Sequence, residues 1–252
     1  METLESNSQI PTQERRIIFL IGSVQFVNVL DFMMVMPMGP DFAQALAIPT
    51  SKLGQIGGSY TAAACVAGLL GSLFLDRFDR RKALFVSMLG FALGTVAGGF
   101  AQNFIMLMAA RVLAGLFGGP ATSLALSIIA DTVPPHRRGM AMGKVMGAFS
   151  IASILGVPAG LELARLGGWR LPFFAVGALA AVITFLAVWF LPPMRGHLAR
   201  KKESAVDGFK GTWKMLTRIE VFFSYSALWF AMLSAFLMIP NFSTFFQLNL
   251  GF

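Results

Sequence analysis

Seven long apolar runs, separated by short polar or basic segments, make up most of this sequence. The runs cover residues 17–38, 53–75, 83–101, 104–130, 140–164, 171–191 and 221–247. Each run is close to the roughly 20 residues that an α-helix needs to cross the hydrocarbon core of a bilayer. The pattern therefore predicts six membrane-spanning helices, a polar linker and one further membrane-spanning helix.

Composition and charge support this prediction. The chain has 252 residues, of which 56% are hydrophobic and 13% charged, and its net charge is +8. Of the Lys and Arg residues, 15 lie in segments 15–16, 77–82, 137–138 and 195–218, while only three lie in the loops of the other side. By the positive-inside rule this asymmetry places the N-terminus in the cytoplasm. It also excludes nucleic acid as the partner of the basic residues.

The runs divide the chain into four parts. We expect a cytoplasmic tail at residues 1–16, a six-helix transmembrane bundle at 17–191, a cytoplasmic linker at 192–220 and a seventh transmembrane helix at 221–252. Two of the runs carry small residues at four-residue spacing, which predicts close helix packing. These residues are Gly90, Gly94 and Gly98 in the third run and Gly115 and Gly119 in the fourth.

Among the charged residues inside the apolar runs, Asp31 and Arg111 lie deepest and at similar depth. A charge near the bilayer centre costs about 2.5 to 3.5 kcal/mol on insertion scales. Asp31 lies 14 residues into the first run, which is about 21 Å along a helix crossing a core of about 30 Å. Arg111 lies 7 residues into the fourth run, about 10 Å below the opposite edge. The sequence therefore predicts that the two side chains share a level in the outer half of the membrane.

Asp31 and Arg111 have two interpretations. In the functional one, Asp31 takes up and releases a proton in a water-accessible cavity, while Arg111 influences its protonation or binds an anionic group. In the structural one, the two residues form a static ion pair that joins two helices. Gln25 and Asn28 precede Asp31 on the same helix and add polar groups to an otherwise apolar wall. Such a cavity suits a cationic drug, a sugar or an organic anion.

The sequence offers no pattern of enzyme chemistry. Cys65, the single cysteine, lies within a span, so neither a disulfide nor a cysteine metal site is expected. His136 and His197 lie in loops without a partner at metal-ligand spacing. We find neither a nucleotide-binding glycine loop nor a nucleophile with a nearby base. We therefore predict no catalytic residue, no metal and no cofactor.

The basic turn after the second run resembles the major facilitator superfamily. That family carries Gly-x-x-x-Asp-Arg-x-Gly-Arg-Arg between its second and third helices, and this chain has Ser72-Leu-Phe-Leu-Asp76-Arg77-Phe78-Asp79-Arg80-Arg81. Two further segments are similar to family motifs in the expected order. These are Arg111-Val-Leu-Ala-Gly115 in the fourth helix and the loop at residues 131–139, which follows the pattern Asp-x-x-Pro-x-x-x-Arg-Gly.

The fifth run carries the segment that resembles a particular branch of this family. Gly147 is followed, after eight residues, by Gly156-Val-Pro158-Ala-Gly160. This segment is similar to the fifth-helix antiporter motif of bacterial drug:proton antiporters and of sugar or metabolite exporters. The resemblance covers the whole chain but only about the first half of a twelve-helix family member.

The resemblance implies an all-α integral membrane fold. The expected architecture is the six-helix N-terminal bundle of a major facilitator fold, built from two inverted three-helix repeats, plus a linker and one further transmembrane helix. A partial match between residues 75–85 and 163–173, on opposite sides of the membrane, fits such a repeat. In alternating access, helices one, four and seven would line a central cavity, so that Asp31 and Arg111 face each other across it.

The resemblance also implies roles for two sets of loop and helix residues. A charge cluster would hold the outward-open state, and it consists of Asp76, Arg77, Arg80, Arg81, Asp131 and Arg138. The residues of the fifth-helix motif would shape that helix against a partner in the other half, and they are Gly147, Gly156, Pro158 and Gly160.

The expected function is proton-coupled export of a small molecule across the bacterial inner membrane by a multi-pass protein. The alternative is a truncated, non-transporting half or an interaction module that pairs with a second half or with another copy of itself. A truncated product is expected rather than a seven-helix fold selected for its own sake. In either case the expected partners are lipid, protons and a small-molecule substrate.

Overall fold

The computed structural model describes residues 11–192 and 217–234, except residues 228 and 232; the side chains of residues 50, 72–74 and 76 are not described either. By its internal contacts the chain divides into two units, Met1–Ala199 and Arg200–Phe252. The start of the predicted tail, most of the predicted linker and the end of the predicted seventh helix lie outside the described residues. Those three predictions therefore stay predictions.

The described residues of the first unit form seven helices of eight or more residues, two short 3-10 helices and no strand. The helices are α1 (Thr12–Met34), α2 (Gly39–Leu46), α3 (Leu53–Phe74), α4 (Arg80–Gly99), α5 (Phe104–Thr132), α6 (Pro135–Gly167) and α7 (Arg170–Phe190). Six of these described helices, all but α2, are long and apolar enough to cross a membrane. The predicted all-α fold with six membrane-spanning helices is thus confirmed. In the second unit the structure describes a shorter apolar helix, α8 (Ile219–Ala231).

The first helix lies earlier in the sequence than the apolar run indicated. It begins at Thr12 and ends at Met34, instead of covering residues 17–38. The helix ends before Pro37 because a proline cannot donate the backbone hydrogen bond that a helix interior needs. A short helix that the apolar pattern did not reveal, α2, follows with Pro40 in its first turn. Phe42 of α2 is buried and packs edge-on against the Trp169 ring, with 5.4 Å between the ring centroids.

Helix α5 lies at the centre of the bundle because its glycines let two neighbours approach closely. A Cβ atom on Gly115 or Gly119 would collide with the backbone carbonyls of Tyr60 and Ala64 in α3. On the other side, a Cβ atom on Gly94 of α4 would lie 2.6 Å from the Ala114 backbone nitrogen. Small residues at four-residue spacing thus bring backbones together, as predicted for membrane helices.

The turn between α3 and α4 does not need the glycine that the family pattern has at position 79. Asp79 is the N-cap of α4, with a φ of −58° that any residue adopts, and its carboxylate accepts a hydrogen bond from the Arg81 backbone N–H at 3.0 Å. Aspartate is a preferred N-cap residue because its side chain satisfies a helix N–H that has no partner within the helix. The substitution of the family glycine therefore keeps the start of α4 well defined.

Candidate functional site

The structure brings Asp31 of α1 and Arg111 of α5 into direct contact. The Arg111 Nη1 atom donates a hydrogen bond to Asp31 Oδ2 at 2.7 Å. Their side chains are 0% and 1% exposed, respectively. The similar depth predicted for the two residues thus corresponds to an ion pair buried within the first unit itself. Buried charges in proteins are normally paired and hydrogen-bonded in this way.

A third side chain, Thr95 of α4, completes the environment of the carboxylate. Its hydroxyl donates to Asp31 Oδ1 at 3.0 Å, and the residue is fully buried. Each oxygen of the Asp31 carboxylate therefore accepts one hydrogen bond, and the two donors lie on different helices. Sequence analysis missed Thr95, although a signal was present. Asp31 and Thr95 lie 14 and 12 residues into apolar runs that cross the membrane in the same direction, so a buried hydroxyl at that level was a candidate partner.

Tyr60 of α3 covers the guanidinium group of Arg111. The Arg111 Cζ atom lies 4.6 Å from the centre of the Tyr60 ring, and the Phe32 ring lies 5.7 Å from the same ring. A cation held against an aromatic face away from water is stabilised by about 2 kcal/mol. Tyr60 is the second site residue that sequence analysis missed. A single tyrosine in an apolar run does not indicate which neighbouring helix its side chain contacts.

Arg111 keeps hydrogen-bonding capacity that its neighbours do not use. Its Nε and Nη2 atoms are buried, and no group in the described part of the chain accepts from them. The ion pair is electrically neutral while Asp31 is ionised. When Asp31 takes up a proton, Arg111 loses its counter-charge in a low-dielectric interior, where electrostatic interactions are much stronger than in water.

Asn28 and Gln25, the other predicted cavity residues, lie on α1 and face into the bundle. They are 3% and 6% exposed, respectively. The Asn28 amide nitrogen donates to the Val24 carbonyl oxygen at 2.9 Å and lies 3.5 Å from the Met88 sulfur. The structure thus places both residues along the same helix as Asp31. Their position on the wall of a central cavity stays a prediction.

The predicted charge cluster is in part assembled. Arg80 Nε donates to Asp131 Oδ2 at 2.8 Å and so joins the start of α4 to the end of α5. The Arg81 guanidinium donates to the Val188 carbonyl oxygen and joins α4 to α7. Arg138 Nε donates to the Val133 carbonyl oxygen at 2.9 Å. Its predicted role beside Asp131 stays a prediction.

Two members of the cluster lie in the turn before α4. Arg77 is exposed, and the side chain of Asp76 lies outside the described residues. Sequence analysis missed a further ion pair on this side of the bundle. Arg137 Nη2 lies 3.3 Å from Glu14 Oε1 and connects the starts of α6 and α1. Glu14 had been assigned to the tail because the apolar run begins only at residue 17, whereas α1 begins at Thr12.

The fifth-helix motif shapes α6 against α1. Pro158 has no N–H to donate to the carbonyl four residues earlier, and the helix accommodates it with a π-helical turn at Ala152–Gly156. A Cβ atom on Gly156 would lie 2.5 Å from Leu30 Cδ1, and one on Gly160 would lie 3.6 Å from Met34 Cβ. Gly156 and Gly160 thus pack on α1 at Leu30 and Met34, one residue before and three residues after Asp31, whereas a Cβ atom on Gly147 would meet nothing within 4 Å.

Within residues 11–192 and the described part of 217–234, no group of three or more His, Cys, Asp and Glu side chains could hold a metal ion. Cys65 is exposed on α3. Asp31, Thr95 and Arg111 form one buried polar cluster, and the buried Arg80 and Thr184 lie apart from it, bonded to Asp131 and to the Ala180 carbonyl oxygen.

Comparisons with known proteins agree with this architecture. The family model described as Major Facilitator Superfamily matches residues 21–252. The inner membrane transport protein YdhP of Escherichia coli strain K12 is 33% identical over 175 residues, which is 68% of this chain and 45% of that protein. The purine ribonucleoside efflux pump NepI of Escherichia coli O157:H7 is 28% identical over 212 residues, which is 82% of this chain and 52% of the pump.

Solved structures show the same fold. A bacterial homologue of the human lysosomal transporter Spinster, in an inward-facing and unoccupied conformation, matches with a TM-score of 0.77 at 19% identity, over 95% of this chain and 56% of the other. The xylose transporter XylE of E. coli, partially occluded and inward open, matches with a TM-score of 0.67 at 18% identity, over 78% and 54% of the two chains.

The chain spans about half the length of the relatives that it matches, as the resemblance to a twelve-helix family indicated. The motifs, the six membrane-spanning helices and the family match all point to the same assignment. The chain is a multi-pass membrane protein that belongs to the major facilitator superfamily, a family of transporters and not of enzymes.

Proposed function

We propose that this chain forms the proton-coupling N-terminal half of a secondary transporter, which exports a small molecule from the bacterial cytoplasm in exchange for protons. The observation that carries the proposal is the buried ion pair of Asp31 and Arg111, with its Thr95 hydrogen bond. Ionisable residues inside membrane bundles are costly, and they typically mark ion or substrate pathways.

Protonation of Asp31 would act on the bundle through its two donors and through α1. The carboxylate accepts from Arg111 and Thr95 while it is ionised. A proton removes the charge that holds Arg111, and both donors then lose their best acceptor. The neighbouring residues Leu30 and Met34 pack on the fifth-helix motif of α6. A displacement of α1 at Asp31 would therefore alter its packing on α6. A rigid-body movement of the helices can follow from such a change.

The proposed direction of transport and the proposed membrane are inferred from the relatives and from the placement of basic residues. One relative is named a purine ribonucleoside efflux pump and another an inner membrane transport protein. The fifth-helix segment resembles an exporter motif, and the basic loops favour a cytoplasmic N-terminus. These features support export across the inner membrane. The substrate would be a small molecule, with nucleosides, sugars and cationic drugs as the classes to test.

A second candidate function is a half-transporter that moves nothing on its own. The matches to two relatives cover 45% and 52% of their length. In that case the six-helix bundle would need a second half, or a second copy of itself, to enclose a cavity. The nucleotide sequence directly downstream tests for that second half: an in-frame continuation encoding five more spans would show that it is part of the same protein.

The proposal is tested by proton flux in proteoliposomes that contain this polypeptide. The probes are a panel of nucleosides, sugars and cationic dyes, and the variant is Asp31→Asn. Asp41→Asn is the matched control, because Asp41 is exposed on α2. Proton movement that depends on a probe, persists in the control and is lost in Asp31→Asn would support the proposal. Proton coupling that is unaltered in Asp31→Asn would refute it, and silence from folded, inserted protein would favour the half-transporter.

A further inference from the structure

A cavity lies at one end of the bundle, where α1 and α4 begin and α7 ends. Its volume is about 590 Å³, within the roughly 300 to 1,000 Å³ of ligand-binding cavities. All three helices are long and apolar enough to cross a membrane, so their ends lie near the membrane surface. Arg16, in the lining of the cavity, precedes Asp31 on α1 by 15 residues, which is about 22 Å along the helix axis. The cavity is therefore separate from the buried ion pair and lies at the level of lipid headgroups.

Two arginines from different helices line the cavity, Arg16 of α1 and Arg81 of α4. The Arg81 guanidinium donates to the Val188 carbonyl oxygen near the end of α7, which fixes its position. Arg16 is exposed and has no ion-pair partner in the part of the chain that the structure describes. None of the described lining residues is Asp or Glu. The cavity thus carries two positive charges and favours an anionic ligand.

The first turn of α1 adds to this positive potential. Thr12 and Gln13 line the cavity there, and the first N–H groups of a helix have no acceptor within the helix. Pro11, the N-cap, makes no side-chain hydrogen bond to them. Glu14 of the same turn is paired with Arg137 of α6. The partial positive charge of the helix N-terminus therefore reinforces the two arginines.

Aromatic side chains form the wall of the cavity at the end of α7. They are Trp189 and Phe190, which are 84% and 55% exposed. Large apolar side chains that are exposed at the end of a membrane-spanning helix contact lipid, and tryptophan is enriched at this level of the membrane. A free phosphate ion would use only the arginines. A phospholipid would use the arginines for its headgroup and the aromatic wall for its acyl chains.

We propose that this cavity binds an anionic phospholipid of the membrane. Arg16 and Arg81 bind the phosphate oxygens, and the acyl chains lie along Trp189 and Phe190. Arginine suits this role because its planar guanidinium group can donate to two phosphate oxygens at once. Basic pockets between membrane helices, at the membrane surface, bind anionic lipid headgroups in this way. We call the cavity the lipid site; a lipid bound there connects the start of α1 to the start of α4.

Two segments of the chain itself are the alternative occupants. The segment at 193–216 carries six Lys and Arg residues and only two Asp and Glu residues, so its positive charge opposes entry into a basic cavity. The tail at residues 1–10 carries Glu2 and Glu5 and no Lys or Arg. The tail therefore matches the charge of the cavity, and the test must distinguish it from lipid.

Native mass spectrometry measures lipid binding directly. The protein is purified from cells that carry the gene in its natural context, so that any second half is present. The probes are dioleoyl phosphatidylglycerol, which is anionic, and dioleoyl phosphatidylcholine, which has the same acyl chains and no net charge. We expect the first phosphatidylglycerol to bind about 25-fold more tightly, because each of the two arginines contributes about 5-fold. Equal affinity for the two lipids overturns the lipid site.

Each arginine has a neighbouring basic residue as its matched control. Arg16→Gln should weaken phosphatidylglycerol binding about 5-fold, whereas Arg15→Gln should not, because Arg15 is exposed outside the cavity lining. The same comparison applies to Arg81→Gln and Lys82→Gln. Since Arg81 also bonds Val188, thermal unfolding of the lipid-free variants reports whether its loss disturbs the fold. Arg16→Gln removes no described hydrogen bond or ion pair, so it decides alone if Arg81→Gln is unstable. Binding as tight as in Arg15→Gln overturns the proposal.

A pair of phenylalanine variants separates a lipid from a free anion. Phe190→Ala should weaken phosphatidylglycerol binding several-fold, whereas Phe185→Ala should not, because Phe185 is exposed on α7 but does not line the cavity. We expect inorganic phosphate in large excess to leave the bound lipid in place. Displacement of the lipid by phosphate, together with equal binding in the two variants, would show a site for a free anion and overturn the lipid site.

The double variant Glu2→Gln/Glu5→Gln tests the tail. If lipid occupies the cavity, phosphatidylglycerol binding should be unchanged in this variant. A several-fold gain in binding would show that the acidic tail fills the cavity and would overturn the proposal. These outcomes depend on lipid binding alone, so they are independent of the proposed transport function.

Discussion

Breaking the ion pair of Asp31 and Arg111 from one side should destabilise the protein more than removing both charges together. The variants are Arg111→Met, Asp31→Asn and the double variant. In each single variant one charge stays buried without its partner, and such a change costs about 3 to 5 kcal/mol. The side chains are 1% and 0% exposed, so solvent does not screen the loss. In the double variant no unpaired charge remains.

The structure sets the size of the expected coupling. Opposite charges about 4 Å apart interact by about 4 kcal/mol at an effective dielectric constant of about 20. The remaining hydrogen bond from Thr95, at 3.0 Å, offsets a part of the loss in Arg111→Met. We therefore expect a coupling energy of about 2 to 4 kcal/mol between the two substitutions, where surface pairs give about 0.2 to 1 kcal/mol.

The free energy of unfolding is measured in mixed detergent micelles, and the coupling follows from the double-mutant cycle. The matched control is Arg165→Met with Glu162→Gln, because this pair is exposed and its atoms lie 3.7 Å apart. A single variant should also lower the midpoint of thermal unfolding by about 10 °C, whereas the control variants should barely change it. A coupling energy as small as that of the control pair would show that the buried contact does not hold the bundle together.

Three further predictions concern the surroundings of the site. Thr95→Val removes the second hydrogen-bond donor to Asp31 without changing the side-chain shape, so proton-driven transport should fall several-fold. Thr95→Ser keeps the hydroxyl and should keep the transport rate. Transport rates in native membrane vesicles test this prediction. Arg80→Gln removes the charge that bonds Asp131 at 2.8 Å. Labelling of cysteines engineered at the cytoplasmic and the outer ends of the bundle should then show a changed ratio of inward-open to outward-open protein, and an unchanged ratio would argue against a role of this ion pair in conformational state. Gly119→Val should prevent close packing of α3 on α5 and destabilise the protein by about 3 kcal/mol or more. Gly143→Val should not, because a Cβ atom at Gly143 meets nothing within 4 Å. Thermal unfolding of the two variants compares their stabilities.

The sequence alone determined six segments that are long and apolar enough to cross the membrane, and where charge interrupts them. Hydrophobicity along the chain reports burial in lipid or protein, and a run of about 20 apolar residues can satisfy its backbone only as a helix in a membrane. Depth followed from the same count, since helix rise converts residue number to distance. The pairing of Asp31 with Arg111 was within reach for this reason: two costly charges at one level have each other as the nearest partners.

Only the tertiary structure decided which faces of the helices meet. A soluble helix shows its buried face by a polar opposite side, but a membrane helix is apolar toward both lipid and protein, so its sequence does not reveal how it is rotated. Helix α5 packs on both α3 and α4 through residues no more polar than those facing outward. For the same reason Thr95 and Tyr60 escaped sequence analysis, because their contacts with Asp31 and Arg111 depend on the rotation and spacing of four helices at once.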